Sequence, residues 1–293
     1  MPSPNSSPLS IVAVLCAALA PLTALGSAAQ TQTDFSSSVR NLTFREIGPA
    51  VTGGRIADLA VVESKPQVFY VGTASGGLWK TENHGASWVP LFDEQPTASI
   101  GDVTLAPSNP NVVWVGTGEP QNRQSSPWGA GVFKSTDAGR TWRSVGLEDT
   151  RHIARIVVHP RDPAVAYVAA VGHLWGPNEE RGVFRTRDGG DSWEKVLYVD
   201  QHTGAIDLAM DPGDPNTLFA AMYQRQRTGF GFNGGGPGSG IYRTMDGGST
   251  WQELTNGLPE GDKGRIGLDV YRRDGNLVYA VVEADSGSQR GQP

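Results

Sequence analysis

A β-propeller of four-stranded antiparallel blades is the fold class that the sequence predicts, and three observations predict it. An eight-residue phrase recurs, as Thr81-Glu82-Asn83-His84-Gly85-Ala86-Ser87-Trp88, Ser135-Thr136-Asp137-Ala138-Gly139-Arg140-Thr141-Trp142, Thr186-Arg187-Asp188-Gly189-Gly190-Asp191-Ser192-Trp193 and Thr244-Met245-Asp246-Gly247-Gly248-Ser249-Thr250-Trp251. Its tryptophans lie 54, 51 and 58 residues apart, and a near-constant period of that length marks a repeat architecture. Between copies the chain breaks into short β-branched and aromatic runs punctuated by Gly and Pro, four runs to a unit. Helical periodicity is nowhere sustained, which excludes a helical repeat.

The elements follow in order. Ile11 to Leu25 is apolar and Gly26-Ser27-Ala28-Ala29 offers small residues for cleavage, so residues 1–29 read as a secretory signal peptide. The reading implies a secreted or periplasmic protein with no stable membrane span after cleavage. Residues 30–41 form a polar, Ser-rich lead-in, and the blades run from 42 to 293. Leu42 to Ile47 is strand-like. Each unit then opens with an apolar strand: Ile56–Val62, Val103–Ala106, Ile153–Val158, Ile206–Met210 and Ile266–Tyr271. A Pro-containing turn leads to a second strand: Val68–Thr73, Val112–Thr117, Val165–Ala170, Thr217–Met222 and Leu277–Glu283. A third strand enters the repeated phrase and a fourth leaves it at Trp88, Trp142, Trp193 and Trp251. The fifth blade, from about residue 264, has two strands, so about four and a half blades are expected and the chain reads as part of a larger propeller.

The phrase sits in the hairpin between strands three and four. There Asn83, Asp137, Asp188 or Asp246 can accept backbone N–H groups just downstream, as Asx turns do. Gly139, Gly190 and Gly248 supply a positive φ at low cost. A residue present once per blade is expected to fasten a turn, because a catalytic acid is needed once per site. Net charge is −6, with no broad basic surface, which argues against nucleic acid as a partner. The single cysteine, Cys16, falls in the signal region, so disulfide and thiol chemistry are not expected of the mature chain. The histidines show no zinc-site spacing, and neither metal nor cofactor is predicted.

The pattern Ser-x-Asp-x-Gly-x-Thr-Trp at residues 135–142 resembles the Asp-box, or bacterial neuraminidase, repeat. That repeat occurs in sialidases, xyloglucan-specific endoglucanases, sortilin-type receptors and a photosystem-assembly propeller. The stretch from Phe44 to Glu283 is further similar to secreted bacterial proteins called sortilin-like or glycosyl-hydrolase-like. Ile47-Gly48-Pro49-Ala50, Gly54-Arg55-Ile56-Ala57-Asp58, Val115-Gly116-Thr117-Gly118-Glu119 and Gly264-Arg265-Ile266-Gly267-Leu268 carry that likeness. The resemblance implies a propeller; binding proteins and enzymes share it. Resemblance to the endoglucanases would require a catalytic Asp where Ala74 stands. The arginine trio of sialidases is not recognisable.

In a four-stranded meander the Asp boxes lie on the face opposite the loops between strands two and three. Those loops hold the extra residues: Arg123 and Trp128 in the second blade, His173 and Trp175 in the third, Arg225 in the fourth. Long loops bearing aromatics beside polar groups are the usual layout of a binding site, and tryptophan suits sugar stacking. Connections between blades add Arg55 and His152 to this face. Just inside, Asp58, Asp102, Arg155 and Asp207 occupy equivalent positions. The expected ligand-binding set is therefore Arg55, Arg123, Trp128, His152, Arg155, His173, Trp175 and Arg225. The expected function is recognition of a polysaccharide, peptide or protein. A glycoside hydrolase using paired carboxylates from Glu119, Asp102 and Asp207 is the alternative, and an assembly propeller without a small ligand is a third reading.

Overall fold

The computed structural model describes residues 54–284. The expected signal peptide, lead-in and strand at Leu42–Ile47, and the polar tail beyond 284, lie outside the described residues. Within them the chain forms four blades and the first two strands of a fifth. Blade 1 comprises β1 (Ile56–Val61), β2 (Phe69–Thr73), β3 (Leu78–Thr81) and β4 (Val89–Pro90). Blade 2 comprises β5 (Ile100–Ala106), β6 (Asn109–Thr117), β7 (Val132–Ser135) and β8 (Arg143–Ser144). Blade 3 comprises β9 (Ile153–Val158), β10 (Ala166–Ala170), β11 (Gly182–Thr186) and β12 (Glu194–Leu197). Blade 4 comprises β13 (Thr203–Met210), β14 (Leu218–Thr228), β15 (Gly231–Gly234), β16 (Gly240–Thr244) and β17 (Gln252–Leu254); β18 (Lys263–Val270) and β19 (Val278–Ala284) begin the fifth. Each blade is an antiparallel meander in sequence order, with β15 paired to β14 alone.

One departure from the predicted strands matters for the site. The stretch after Met222 is not a loop: β14 continues to Thr228 and returns as β15 through the two-residue turn Gly229-Phe230. The apolar pattern alone did not show this hairpin because the extension is polar.

Hydrogen bonds fix the two faces. In each blade the Asp-box backbone donates to the turn between strands one and two or the start of strand two: His84 N to Gln67 O, Ala138 N to Asn111 O, Gly189 N to Ala164 O and Gly247 N to Asn216 O. On the other face, loops between strands two and three donate to the connection into the next blade or its first residue: Gly77 N to Ala98 O, Gly129 N to Arg151 O, Asn178 N to Gln201 O and Gly236 N to Lys263 O. The Asp boxes are therefore on the face opposite the long loops.

Apolar residues between adjacent sheets form the core. Tyr70, Leu78, Ile100, Val113 and Phe133 pack between blades 1 and 2, Trp114, Ile153, Ile156 and Val168 between blades 2 and 3. The approach is close: a Cβ on Gly116 of β6 would lie 2.3 Å from Ile153 Cγ2. Burial of these side chains is the main source of stability for such a stack.

Two polar devices repeat from blade to blade. In the Asp box, Asp137 Oδ1 accepts Thr141 N at 2.9 Å, its Oδ2 accepts the Thr141 hydroxyl at 2.7 Å, and Gly139 N donates to Ser135 Oγ at 2.8 Å. Asp188 and Asp246 repeat the pattern with Ser192 and Thr250. At Asn83 the amide keeps the Ser87 N bond at 2.9 Å but itself donates to Ser87 Oγ. The second device uses the basic residue before each box. Lys80 Nζ donates to Ala138 O at 3.3 Å, Lys134 Nζ to Gly189 O at 3.1 Å, and Arg185 to Gly247 O. Each cation thus reaches the box of the next blade. Trp142 packs edge-on against Phe92 and Trp193 against Trp114, again across blade boundaries, with Trp193 Nε1 donating to Val145 O at 2.6 Å.

Candidate functional site

The inner strands carry a third repeat. β1, β5, β9 and β13 each have a β-bulge immediately before one residue: Asp58, Asp102, Arg155 and Asp207. The bulge turns that side chain toward the axis. Each Asp there accepts an N–H from the next blade's inner strand, Asp58 from Val103 at 3.1 Å, Asp102 from Ile156 at 3.0 Å and Asp207 from Leu268 at 2.9 Å. Blade 3 has an arginine in that position, so Leu208 N bonds instead to Asp207 Oδ1 at 2.9 Å. Arg155 spans the channel. Its Nε is 2.9 Å from Asp207 Oδ1, and its Nη1 is 3.1 Å from Asp102 and 3.7 Å from Asp58. Burial pushes the Asp102 carboxyl upward against the pull of Arg155, while Asp102 and Asp207 raise Arg155. Gln121 and Arg265 close the loop side of this cluster around a cavity of about 170 Å³.

Glu119 opens the long loop of blade 2. Its carboxylate is fully buried and held by Arg55, whose Nε and Nη2 lie 2.9 and 2.6 Å from Oε1. Neither Glu119, Asp102 nor Asp207 is free: each is engaged by a guanidinium. Arg225, read from the sequence as a ligand residue, has no exposed surface; it donates to Pro120 O and Gln121 O, both at 2.9 Å, tying blade 4 to the loop of blade 2. Arg181 works likewise, donating to His202 O at 2.8 Å and Arg225 O at 3.0 Å. Burial lowers both guanidinium pKa values to about 10. His152 is fully buried with Nδ1 3.1 Å from Gly172 O, and burial lowers it to about 4. His173 Nε2 lies 2.7 Å from Asp149 O.

The aromatic part of the prediction gathers on the surface. Trp128 and Trp175 are 56% and 54% exposed. The guanidinium of Arg151 stacks 4.2 Å over the Trp128 ring. Arg227 N donates to Leu174 O at 2.7 Å and bridges Trp175 in register, while its Nη2 reaches Ser126 Oγ at 3.4 Å. Asn122 Nδ2 donates to Tyr223 OH at 2.8 Å, a further tie from blade 2 to blade 4. Arg227 therefore links the blade 4 hairpin to the loops of blades 2 and 3, the loops that carry Trp128 and Trp175. Arg123 is exposed in the same loop as Trp128. Arg227 belongs to the long loop expected in blade 4, although not to the expected ligand-binding set, and the structure places it on β14; Arg151, in the connector before β9, carries no sequence signal. Among the described residues no group of three or more His, Asp or Glu side chains converges as metal ligands would, and no helix is long and apolar enough to cross a membrane.

The chain is 25% identical over 257 residues to a xyloglucanase of Paenibacillus sp, covering 80% of this chain and 24% of that one. It is 24% identical over 243 residues to a xyloglucanase of Acetivibrio thermocellus, covering 71% and 26%. An oligoxyloglucan-reducing end-specific xyloglucanase of Emericella nidulans is 23% identical over 261 residues, covering 83% and 29%. The chain thus spans about a quarter of the length of the curated relatives it matches. Among solved structures, an ancestral GH74 enzyme superposes with a TM-score of 0.60 at 22% identity, over 79% of this chain and 30% of that one. The GH74 xyloglucanase from Xanthomonas campestris superposes with a TM-score of 0.53 at 19% identity, over 78% and 35%. These likenesses show the propeller fold. The Sortilin-Vps10 model (sortilin, neurotensin receptor 3) matches residues 130–289, more than half of the chain, and the chain belongs to that family.

Proposed function

We propose that this protein is secreted and that its long-loop face binds a polysaccharide. The observation that carries the reading is the pair of half-exposed tryptophans, Trp128 and Trp175, on loops of blades 2 and 3 that Arg227 joins through Ser126 and the backbone at Leu174 and Trp175. Such rings offer a flat apolar surface to the C–H face of a sugar, and neighbouring donors supply orientation. The relatives named as xyloglucanases support a carbohydrate ligand. Immobilised glycans, xyloglucan among them, should retain the protein, and Trp128→Ala with Trp175→Ala should weaken retention about tenfold or more. Equal retention of the double variant, or retention by a peptide ligand alone, would remove this reading.

Hydrolysis is the second reading, favoured by the enzymatic names of the same relatives. Among the described residues the candidate carboxylates are clamped, so Asp102 and Asp207 could act as acid and base only after Arg155 withdrew. Release of reducing ends from xyloglucan that disappears in Asp207→Asn, with unchanged melting, would establish that chemistry. Binding without turnover leaves recognition as the role.

A further inference from the structure

The arginines of the loop face are partnered unequally. Arg55 and Arg155 meet carboxylates, and Arg181 and Arg225 are taken up by backbone carbonyls. Arg123, Arg151, Arg227 and Arg265 differ: among the described residues none has a carboxylate within salt-bridge distance. Three of the four lie in or against the long loop of blade 2. Arg151 lies over Trp128, Arg227 points its Nη2 at Ser126, and Arg123 accepts the Ser126 hydroxyl on its carbonyl at 3.4 Å.

Arg227 is the most telling. Only 7% of the residue is exposed, yet its one side-chain hydrogen bond among the described residues is the 3.4 Å contact to Ser126. A guanidinium has five donors, and none of those left over on Arg227 is among the buried polar atoms without a partner, so they stay open to an incoming acceptor. Arg225 sits close behind it, adding positive charge. Arg151 is held in place despite strain. It has φ 58 without being glycine, and its carbonyl accepts Gly129 N at 2.7 Å where a Cβ on Gly118 would come within 1.9 Å. Strain fixed by surrounding structure clusters at functional sites. The planar fork of arginine matches a carboxylate in a bidentate way.

We infer that the polysaccharide taken by this face is acidic. A uronate-bearing chain stacks a ring on Trp128 or Trp175 and places its carboxylate on Arg227, with Arg123 and Arg151 beside it. The inference rests on the glycan-binding reading given above. The test compares polygalacturonate with its fully methyl-esterified form, which keeps the rings and removes the charge, and with dextran sulfate. Wild type is expected to bind polygalacturonate about tenfold more tightly than the ester. Arg227→Gln, and separately Arg123→Gln with Arg151→Gln, should erase that preference while melting stays unchanged. Should Arg227→Gln fail to fold, the surface double variant decides, and an unchanged preference in it overturns the inference. Equal binding of acid and ester overturns it and leaves glycan binding standing. Failure to retain any glycan overturns both readings. Dextran sulfate bound as tightly as polygalacturonate would indicate unspecific anion attraction and overturn the uronate assignment.

Discussion

The guanidinium of Arg55 closes on the carboxylate of Glu119 in the neighbouring blade, with Nε 2.9 Å and Nη2 2.6 Å from the same oxygen. The two partners are unequally wet: the Arg55 side chain is 39% exposed and that of Glu119 is sealed. Removing either partner should therefore have different consequences. Arg55→Ala strands a carboxylate that water cannot reach, a loss of about 3–5 kcal/mol. Glu119→Gln leaves a guanidinium that solvent can hydrate, so about 1–3 kcal/mol is expected. Urea unfolding of both variants measures the order. A larger loss in Glu119→Gln than in Arg55→Ala would contradict the assignment of Glu119 as the buried member.

Lys134 illustrates how blades are joined outside the core. Its ammonium lies 4.4 Å from the Trp114 ring and donates to Gly189 O of the next Asp box at 3.1 Å. Partial withdrawal of the cation from water lowers its pKa. Lys134→Met keeps much of the apolar stem and removes both interactions, at about 1–2 kcal/mol. Arg140→Ala, an exposed change in a box position without a partner across the boundary, should stay within about 0.5 kcal/mol of wild type. Thermal melting of the two variants separates them, and indistinguishable midpoints would deny Lys134 its bridging role.

How much of this was readable beforehand depends on whether the relation is periodic. The Asp boxes and the basic residue preceding each box recur at fixed offsets, and Asp58, Asp102, Arg155 and Asp207 recur near the start of each first strand, so one chain displays them. What the bonds reach was not readable. Arg225 meets the carbonyls of Pro120 and Gln121 more than 100 residues away, and nothing local distinguishes that strut from a ligand residue. Arg151 over Trp128 depends on a positive φ at a non-glycine residue, a conformation set by the packing of Gly118 and Gly129 around its carbonyl. The hairpin of β14 and β15 escaped because polar strands lack the apolar signal on which strand assignment relies. Sequence periodicity thus placed the scaffold, whereas singular contacts made the site.

His152 gives a pH signature that separates the loop face from the Asp boxes. With Nδ1 donating to Gly172 O, its Nε2 is a buried acceptor without a partner among the described residues. Burial is the main reason that its pKa falls from 6.5 to about 4. A depressed folded value means that neutral His152 is favoured by the native state. Its contribution is full above pH 6.5 and disappears as pH falls through about 4, amounting to about 3 kcal/mol. The Asp boxes act lower. Hydrogen bonds from Thr141 and Ser135 depress Asp137 from 3.8 to about 2, so that contribution is present above 3.8 and lost as pH approaches 2. Asp102, pushed up to about 7 by burial, acts with the opposite sign between pH 3.8 and 7. The His152 window is therefore read as the difference between wild type and a His152 variant in urea midpoints at pH 7, 5.5, 4.5 and 3. His152→Gln, which retains a donor for Gly172 O, should flatten the decline between pH 6.5 and 4 and leave the loss below it. If the wild-type slope persists there in the variant, the proton taken up on acid unfolding belongs to another group. If the slope vanishes, loosening of the loop face in mild acid is set by one imidazole wedged under it.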